Sequence, residues 1–340
     1  MKASIYNPYL DTLGGGERYT MAVATFLREK GYRVDVEWKE ESIRKKLEER
    51  FGINLENINF IPDIKRGDAY DLCFWVSDGS IPTLKARKNI LHFQVPFHDV
   101  NGKTLLNKMK LFRINKIVCN SLFTKEIIDR EYGVNSLVIY PPVDTIKIVS
   151  KRKINLIIYV GRFSQLTQNK RQDLLIEAFR RLAKDYPNWK LVLAGASDVG
   201  RTEYVDELIK KGKGYKISIL ENPPFSEVRT LLGQAKIFWS AAGYGVNENK
   251  EPQRMEHFGI TVVEAMAGGD VPLIFSGGGH KEIIEDEFSG FLWEKIPQLL
   301  RLTKKLIEKP KELRTISKNA KRRAQNFSYQ RFYEDFSKII

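Results

Sequence analysis

The chain has 340 residues, of which 42% are hydrophobic, 11% aromatic and 29% charged. That length suits two domains of roughly 100–200 residues each, and the apolar and aromatic content excludes a disordered chain. No repeat period marks a solenoid, and no apolar run approaches the roughly 20 residues that cross a bilayer.

The longest apolar run, around Ile154–Val160, has the length of a strand. The start, MKASIYNPYLD, lacks the apolar core of a signal peptide. Cys73 and Cys119 stand singly inside apolar runs, without the density of a disulfide scaffold. The expectation is a soluble, cytoplasmic globular protein. Net charge is +14, and residues 301–340 alone carry 12 Lys and Arg against 4 Asp and Glu. A solvated basic helix face accounts for such an excess. So does an anionic membrane or a phosphate-bearing ligand, and nucleic acid ranks last because no recognised nucleic-acid module is present.

In chain order, short apolar runs alternate with amphipathic stretches. Ala3–Tyr6, Arg33–Trp38, Asp71–Val76, Asn89–Phe93, Lys116–Asn120 and Leu137–Tyr140 read as strands. A second series runs Asn155–Val160, Lys190–Ala194, Lys216–Leu220, Lys236–Ser240 and Val271–Phe275. Helices are expected at Gly15–Lys30, Thr124–Tyr132, Arg171–Asp185, Glu203–Lys211 and Ile260–Ala267; in the third of these, Leu174, Leu175, Ala178, Phe179 and Leu182 share one stripe. The alternation predicts parallel sheets covered by helices on both faces. It breaks at Tyr140–Ile154, where two prolines and a basic stretch read as a linker. The expected division is 1–150, 151–320 and a terminal segment 321–340. Lys103–Lys116 places Leu105, Leu106, Met109 and Phe112 on one helical stripe among cations. Packing of that stripe on the first sheet is the favoured expectation, and an interfacial membrane helix is the alternative.

Three segments carry chemistry. Gly14-Gly15-Gly16-Glu17 follows the first strand and opens the first helix, where glycines allow close backbone approach and the helix start favours an anion. The further spacings of a dinucleotide fingerprint are absent, and a plain flexible turn fits equally well. Arg162 follows the strand Asn155–Val160, and Lys170 precedes the next helix; two cations at the carboxyl end of a parallel strand suit a diphosphate, or are ordinary surface cations. The segment Glu256-His257-Phe258-Gly259-Ile260-Thr261-Val262-Val263-Glu264 sets two carboxylates eight residues apart around a glycine turn and a helix start. The helix start can receive a phosphate. Glu264, among apolar neighbours, needs a partner, either sugar hydroxyls or a structural salt bridge.

The run EHFGITVVEAMAG (256–268) resembles the signature of glycosyltransferase family 4, the retaining group 1 enzymes of the GT-B class. GGGER (14–18), NSLFT (120–124), YPPVD (140–144), GR…K…LLIEAF (161–179), GGHKEII (278–284) and NFSYQRF (326–332) match in family order, so the resemblance spans essentially the whole chain. The wording is most similar to members acting on lipid-linked oligosaccharides.

The resemblance implies an α/β fold of two Rossmann-like doubly wound domains facing across a cleft, with a terminal helix crossing back to the first. It also implies roles. Arg162 and Lys170 bind the donor diphosphate, Glu256 contacts the transferred sugar and Glu264 holds the ribose. Phe258, Gly259, Ile260 and Thr261 complete the donor site, Gly14, Gly15 and Gly16 line it from the first domain, and His92 contacts the sugar, with His98 as runner-up. The donor is a UDP- or GDP-linked sugar and the acceptor a glycan or polyprenyl-linked hydroxyl, with peripheral contact to an anionic membrane. No resident cofactor and no metal are expected, since no Asp-x-Asp motif is present and His92 with His98 makes no convincing ligand set. Two departures stand out: FSQLTQN, between Arg162 and Lys170, is about two residues longer than usual, and polar Gly245–Met255 reads as a flap over the sugar. An epimerase or glycan phosphorylase of the same architecture is the rival enzyme reading, and a basic nucleic-acid binder the rival from another class.

Overall fold

The computed structural model describes residues 1–164, 170–197 and 203–340. The chain forms two compact units, Met1–Pro142 with Tyr329–Ile340, and Val143–Ser328.

Unit 1 runs β1 (Lys2–Tyr6), α1 (Gly15–Glu29), β2 (Arg33–Glu37), α2 (Ile43–Phe51), β3 (Ile58–Ile61), β4 (Leu72–Val76), β5 (Lys88–Phe93), α3 (Leu105–Leu111), β6 (Lys116–Cys119), α4 (Leu122–Tyr132) and β7 (Leu137–Val138). The sheet is parallel, in the order β3-β2-β1-β4-β5-β6-β7. The order reverses direction at β1, so the carboxyl ends of β1 and β4 flank the place where doubly wound sheets leave room for a ligand. The helix α4 starts where Ser121 Oγ accepts the Thr124 amide (3.0 Å) and stops at Gly133 with φ 66°.

Unit 2 runs β8 (Leu156–Val160), α5 (Gln172–Asp185), β9 (Lys190–Gly195), α6 (Glu203–Gly212), β10 (Ile217–Glu221), α7 (Phe225–Gln234), β11 (Ile237–Ser240), α8 (Ile260–Gly268), β12 (Val271–Phe275), α9 (His280–Ile283), β13 (Phe291–Trp293), α10 (Ile296–Glu308) and α11 (Pro310–Ala324). Its strands are also parallel, in the order β10-β9-β8-β11-β12-β13. The run LIIYV of β8 is apolar on both faces because helices cover both, and Leu156 to Tyr159 are buried. In the interior, Trp239 Nε1 donates to Thr303 Oγ1 at 3.1 Å, satisfying the one polar atom of a fully buried ring.

The last helix, α12 (Tyr329–Ser337), belongs to unit 1. Phe332, Phe336 and Ile339 enter the same core as Tyr19, Phe26 and Phe74, with Phe332 and Phe336 rings 4.8 Å apart. Residues 321–328 stay with unit 2, so the segment that returns is shorter than 321–340.

Several elements differ from the sequence reading. The strands β3 and β13, of four and three residues, and the helices α2, α7 and α9 are additional. The stripe in Lys103–Lys116 does not pack on the sheet: α3 holds only seven residues, and Leu105, Leu106, Met109 and Phe112 are all exposed. Residues 165–169 of the long stretch before Lys170 lie outside the described residues. Among the described residues no helix is long and apolar enough to cross a membrane.

Because Phe332 is 2% exposed within an aromatic cluster of unit 1, Phe332→Ala should cost about 3–5 kcal/mol of folding stability. Denaturant unfolding checks this, and a loss below about 1 kcal/mol would mean that α12 contributes little to the unit's core.

Candidate active site

In unit 2, side chains collect at the carboxyl ends of β8 and β9 and at the start of α8. The chain leaves β8 through Gly161, whose carbonyl oxygen would lie 1.9 Å from a Cβ placed on Gly195. Only glycine permits that approach, and it brings the two strand ends together. Phe163 anchors the loop, being buried and donating its amide to Ala196 O (2.8 Å). Gln172, fully buried at the head of α5, donates to Arg162 O (2.8 Å) and accepts from the Tyr204 hydroxyl (3.1 Å). Arg162 is thereby fixed through its backbone while its side chain is exposed.

Lys170 Nζ lies 2.6 Å from Glu256 Oε2, with side chains only 13% and 16% exposed. Burial by itself raises the Glu256 carboxyl, but the Lys170 charge, His280, the Lys170 hydrogen bond and His257 outweigh it, and the group sits below its ordinary value. Glu256 is therefore a held carboxylate, not a proton donor at neutral pH. His280, almost fully buried, engages Phe275 O through Nδ1 (3.1 Å), and burial pushes its imidazole down although Glu256 pulls it up. The buried Tyr159 hydroxyl also feels Glu256, after burial, in its upward shift.

The pair is held in place by glycines. A Cβ on Gly278 would meet Glu256 O at 2.3 Å and one on Gly279 would meet His257 O at 2.2 Å, while the Gly279 amide donates to Glu256 O at 2.8 Å. The loop 277–279 is thus pressed against the Glu256–His257 backbone. Immediately after it in the chain's other arm, Gly259 (φ 111°) is the cap of α8, a conformation that only glycine adopts without strain. Ile260 and Thr261 are partly exposed at this helix start, whose first amides have no partner within the helix. Glu264 lies in the second turn, 3% exposed among buried neighbours. The Phe258 side chain is buried against Phe327, with ring centroids 5.4 Å apart, so what Phe258 offers a ligand is its backbone. The polar run Gly245–Met255 is pinned rather than loose at Glu248, which accepts from Lys281 (2.9 Å) and from the Gly278 amide (3.1 Å).

In unit 1, Gly14 caps α1 and its amide donates to Glu17 Oε2 (2.7 Å), which also accepts from Thr12 Oγ1 (2.7 Å). A Cβ on Gly16 would sit 2.0 Å from Gln94 Oε1, a buried oxygen with no hydrogen-bond partner among the described residues. Gly14, Gly15 and Gly16 therefore form a close-approach turn against the end of β5.

His92 does not meet the direct sugar contact expected of it in this conformation. It is 0% exposed and stacked on Tyr19 at 4.2 Å, and its Nδ1 engages Val118 O at 3.0 Å. Burial pushes its imidazole down to about 3, so it is neutral, and Nε2 has no hydrogen-bond partner among the described residues. The strand's alternation puts His92 on the face that α1 covers. His98 is partly exposed and lies 2.8 Å from Asp99.

Sequence reading passed over Gln94, Tyr159 and His280. GGHK at 278–281 pointed at His280, but nothing in spacing shows that its ring lies near Glu256. Among the described residues no group of three His, Cys, Asp or Glu side chains is arranged for a metal ion.

The profile of the family described as "Glycosyl transferases group 1" matches residues 144–323, more than half of the chain. The chain belongs to this family. Among curated relatives, the GDP-Man:Man(3)GlcNAc(2)-PP-Dol alpha-1,2-mannosyltransferase of Dictyostelium discoideum is 26% identical over 235 residues, 64% of this chain but only 44% of that protein. An uncharacterized glycosyltransferase of Methanocaldococcus jannaschii is also 26% identical, over 73% of this chain and 67% of its own length.

Among solved structures, Anabaena HepE in complex with UDP superimposes with a TM-score of 0.79 at 17% identity, covering 99% of both chains. Sucrose-phosphate synthase from Thermosynechococcus elongatus gives 0.70 at 15% identity. The two Rossmann-like units of this group 1 glycosyl transferase are those of the GT-B fold. The matched 144–323 span contains Arg162, Lys170, Glu256, His280 and Glu264.

Since Glu256 is lowered in the folded state, its ionisation stabilises the fold above its ordinary value of 4.5, and that contribution is lost as pH falls through the lowered value. Lys170→Met removes the largest opposing charge and leaves the burial. The Glu256 carboxyl should then titrate above its ordinary range, as read by carboxyl-carbon NMR; an unchanged titration would mean that Lys170 does not hold it.

Proposed function

We propose that the chain is a retaining glycosyltransferase of family 4 that moves a hexose from a UDP- or GDP-linked sugar to a hydroxyl of a glycan or lipid-linked acceptor. It works without a metal, at the cytoplasmic face of the membrane. The observation that carries this reading is the Lys170–Glu256 pair at 2.6 Å, set beside the open start of α8.

Transfer breaks the bond between the sugar's anomeric carbon and the diphosphate, and negative charge grows on the departing phosphate. Arg162, Lys170 and the amides at Gly259–Thr261 supply positive charge and donors for it, in a site whose groups are already oriented. Lys170 bridges the diphosphate and Glu256, so the carboxylate is kept charged and aimed at the sugar hydroxyls. Glu264, buried on α8, accepts from the ribose hydroxyls. With Glu256 tied to a cation, same-face attack assisted by the leaving phosphate explains retention better than a carboxylate nucleophile. Within unit 1, His92 acts by supporting the strand end that carries Gln94, against which the Gly14–Gly16 turn is pressed. The UDP of the HepE structures and the GDP-mannose named for the Dictyostelium relative support both donor classes, and the dolichyl acceptor in that relative's name supports a lipid-linked acceptor.

Release of nucleoside diphosphate from a panel of UDP- and GDP-sugars tests this. At least one donor should turn over in excess EDTA. Glu256→Gln should lower kcat about 100-fold with little change in KM, and Glu264→Ala should raise the donor KM about ten-fold. Loss of turnover in EDTA with rescue by manganese, or the reverse split of kcat and KM, would contradict the reading.

A further inference from the structure

The outward face of α3 is the least expected surface of unit 1. Leu105, Leu106, Met109 and Phe112 are 75%, 61%, 64% and 95% exposed, four large apolar side chains within eight residues. The 3.6-residue period places all four on one stripe. Leu111 and Ile114, on the opposite side of the turn, pack against the cluster of Phe93, Ile128 and Tyr132, and Arg113 Nε donates to Leu84 O at 3.0 Å. Thr104 Oγ1 caps the helix by accepting the Asn107 amide at 3.3 Å. The segment is therefore fastened from within, and its apolar side is displayed rather than frayed.

Charge selects the occupant. Residues 101–116 contain five cations, Lys103, Lys108, Lys110, Arg113 and Lys116, and no Asp or Glu. Lys108 and Lys110 border the stripe. A protein groove would cover the leucines but has no need of bordering lysines in a run with no acidic residue, whereas an anionic bilayer takes both: acyl chains receive the stripe and headgroup phosphates receive the rim. Lys110 also lines a cavity of about 390 Å³ with Tyr6, Arg66, Trp75 and Asp63. Tyr6 and Trp75 are stacked there, 3.7 Å between centroids. A surface at α3 would thus lie beside a cavity with an aromatic floor at the carboxyl ends of β1 and β4.

We propose that α3 docks unit 1 on an anionic lipid bilayer, so that an acceptor anchored in that bilayer is reached without leaving it. The proposal rests on the glycosyltransferase reading above for the acceptor, and on the α3 surface alone for the membrane.

Sedimentation of the full chain with phosphatidylglycerol–phosphatidylcholine vesicles, against vesicles of phosphatidylcholine alone, tests it at low and high salt. The wild-type chain should bind the anionic vesicles at low salt, and less at high salt. Leu105→Ser/Phe112→Ser should abolish binding with an unchanged Tm, and Lys103→Glu/Lys108→Glu should weaken it about ten-fold or more. A wild type that ignores anionic vesicles at low salt overturns the proposal. So does a serine double variant that binds as well as wild type, including one that changes only self-association. Nucleoside-diphosphate release is measured on the same samples. Activity without vesicle binding overturns the docking surface alone. Vesicle binding without activity on any donor leaves the surface standing and overturns the donor reading.

Discussion

Lys170 and Glu256 meet at 2.6 Å with little access to water, and the glycine loops beside Glu256 bear directly on that contact. A carboxylate buried to this degree stays ionised only beside a cation, and removing one partner of such a pair typically costs about 3–5 kcal/mol because the other is left without compensation. The glycines at 277–279 follow from it, since any side chain on Gly278 or Gly279 would push the Glu256–His257 backbone away from Lys170. So does the left-handed Gly259, which lets the chain turn from the carboxylate into α8 within three residues. His280 and Tyr159, both buried and electrostatically coupled to Glu256, share these surroundings, where low access to water strengthens the attraction between charges. In the proposed reaction, a diphosphate would meet a lysine already positioned there, so little reorganisation would remain for the transfer itself.

The basic character of the chain separates into two kinds. The excess over residues 301–340 lies on α10 and α11, whose inner faces are Leu299, Leu306, Leu313, Ile316 and Ala320. Several of its cations are paired, as Lys304 is with Asp185 (2.6 Å), Lys305 with Glu312 (2.6 Å) and Arg323 with Glu285 (3.2 Å). That is a solvated helix face, and exposed pairs of this sort contribute little. Around α3, by contrast, the cations stand among exposed apolar side chains. Local surroundings, and not the net charge of +14, decide where an anion is attracted.

The parallel sheets were legible because their central strands, such as LIIYV of β8, are apolar on both faces, which few other elements match. The Glu256–Glu264 segment was legible because a glycine turn followed by a carboxylate inside an apolar helix is hard to explain by packing alone. β3 and β13 were not, since INFI and FLW are too short to show a period and are defined by their neighbours' hydrogen bonds. His92 illustrates a different limit: its position at a strand end was evident, but the ring's burial depends on Tyr19, brought from α1. The exposure of α3 was equally hidden, because an amphipathic stripe looks alike whether it faces a sheet or solvent.

In the proposed function, Lys170 and the α8 start form a nucleoside-diphosphate site that needs no metal. Titration calorimetry of UDP and of GDP into the wild-type chain and Lys170→Ala, all in excess EDTA, tests that claim. The account predicts that wild type binds at least one of the two and that Lys170→Ala weakens it about ten-fold or more, the loss expected for one charge-assisted contact. Equal affinity in both proteins, or wild-type binding that appears only when a divalent cation is added, would contradict it.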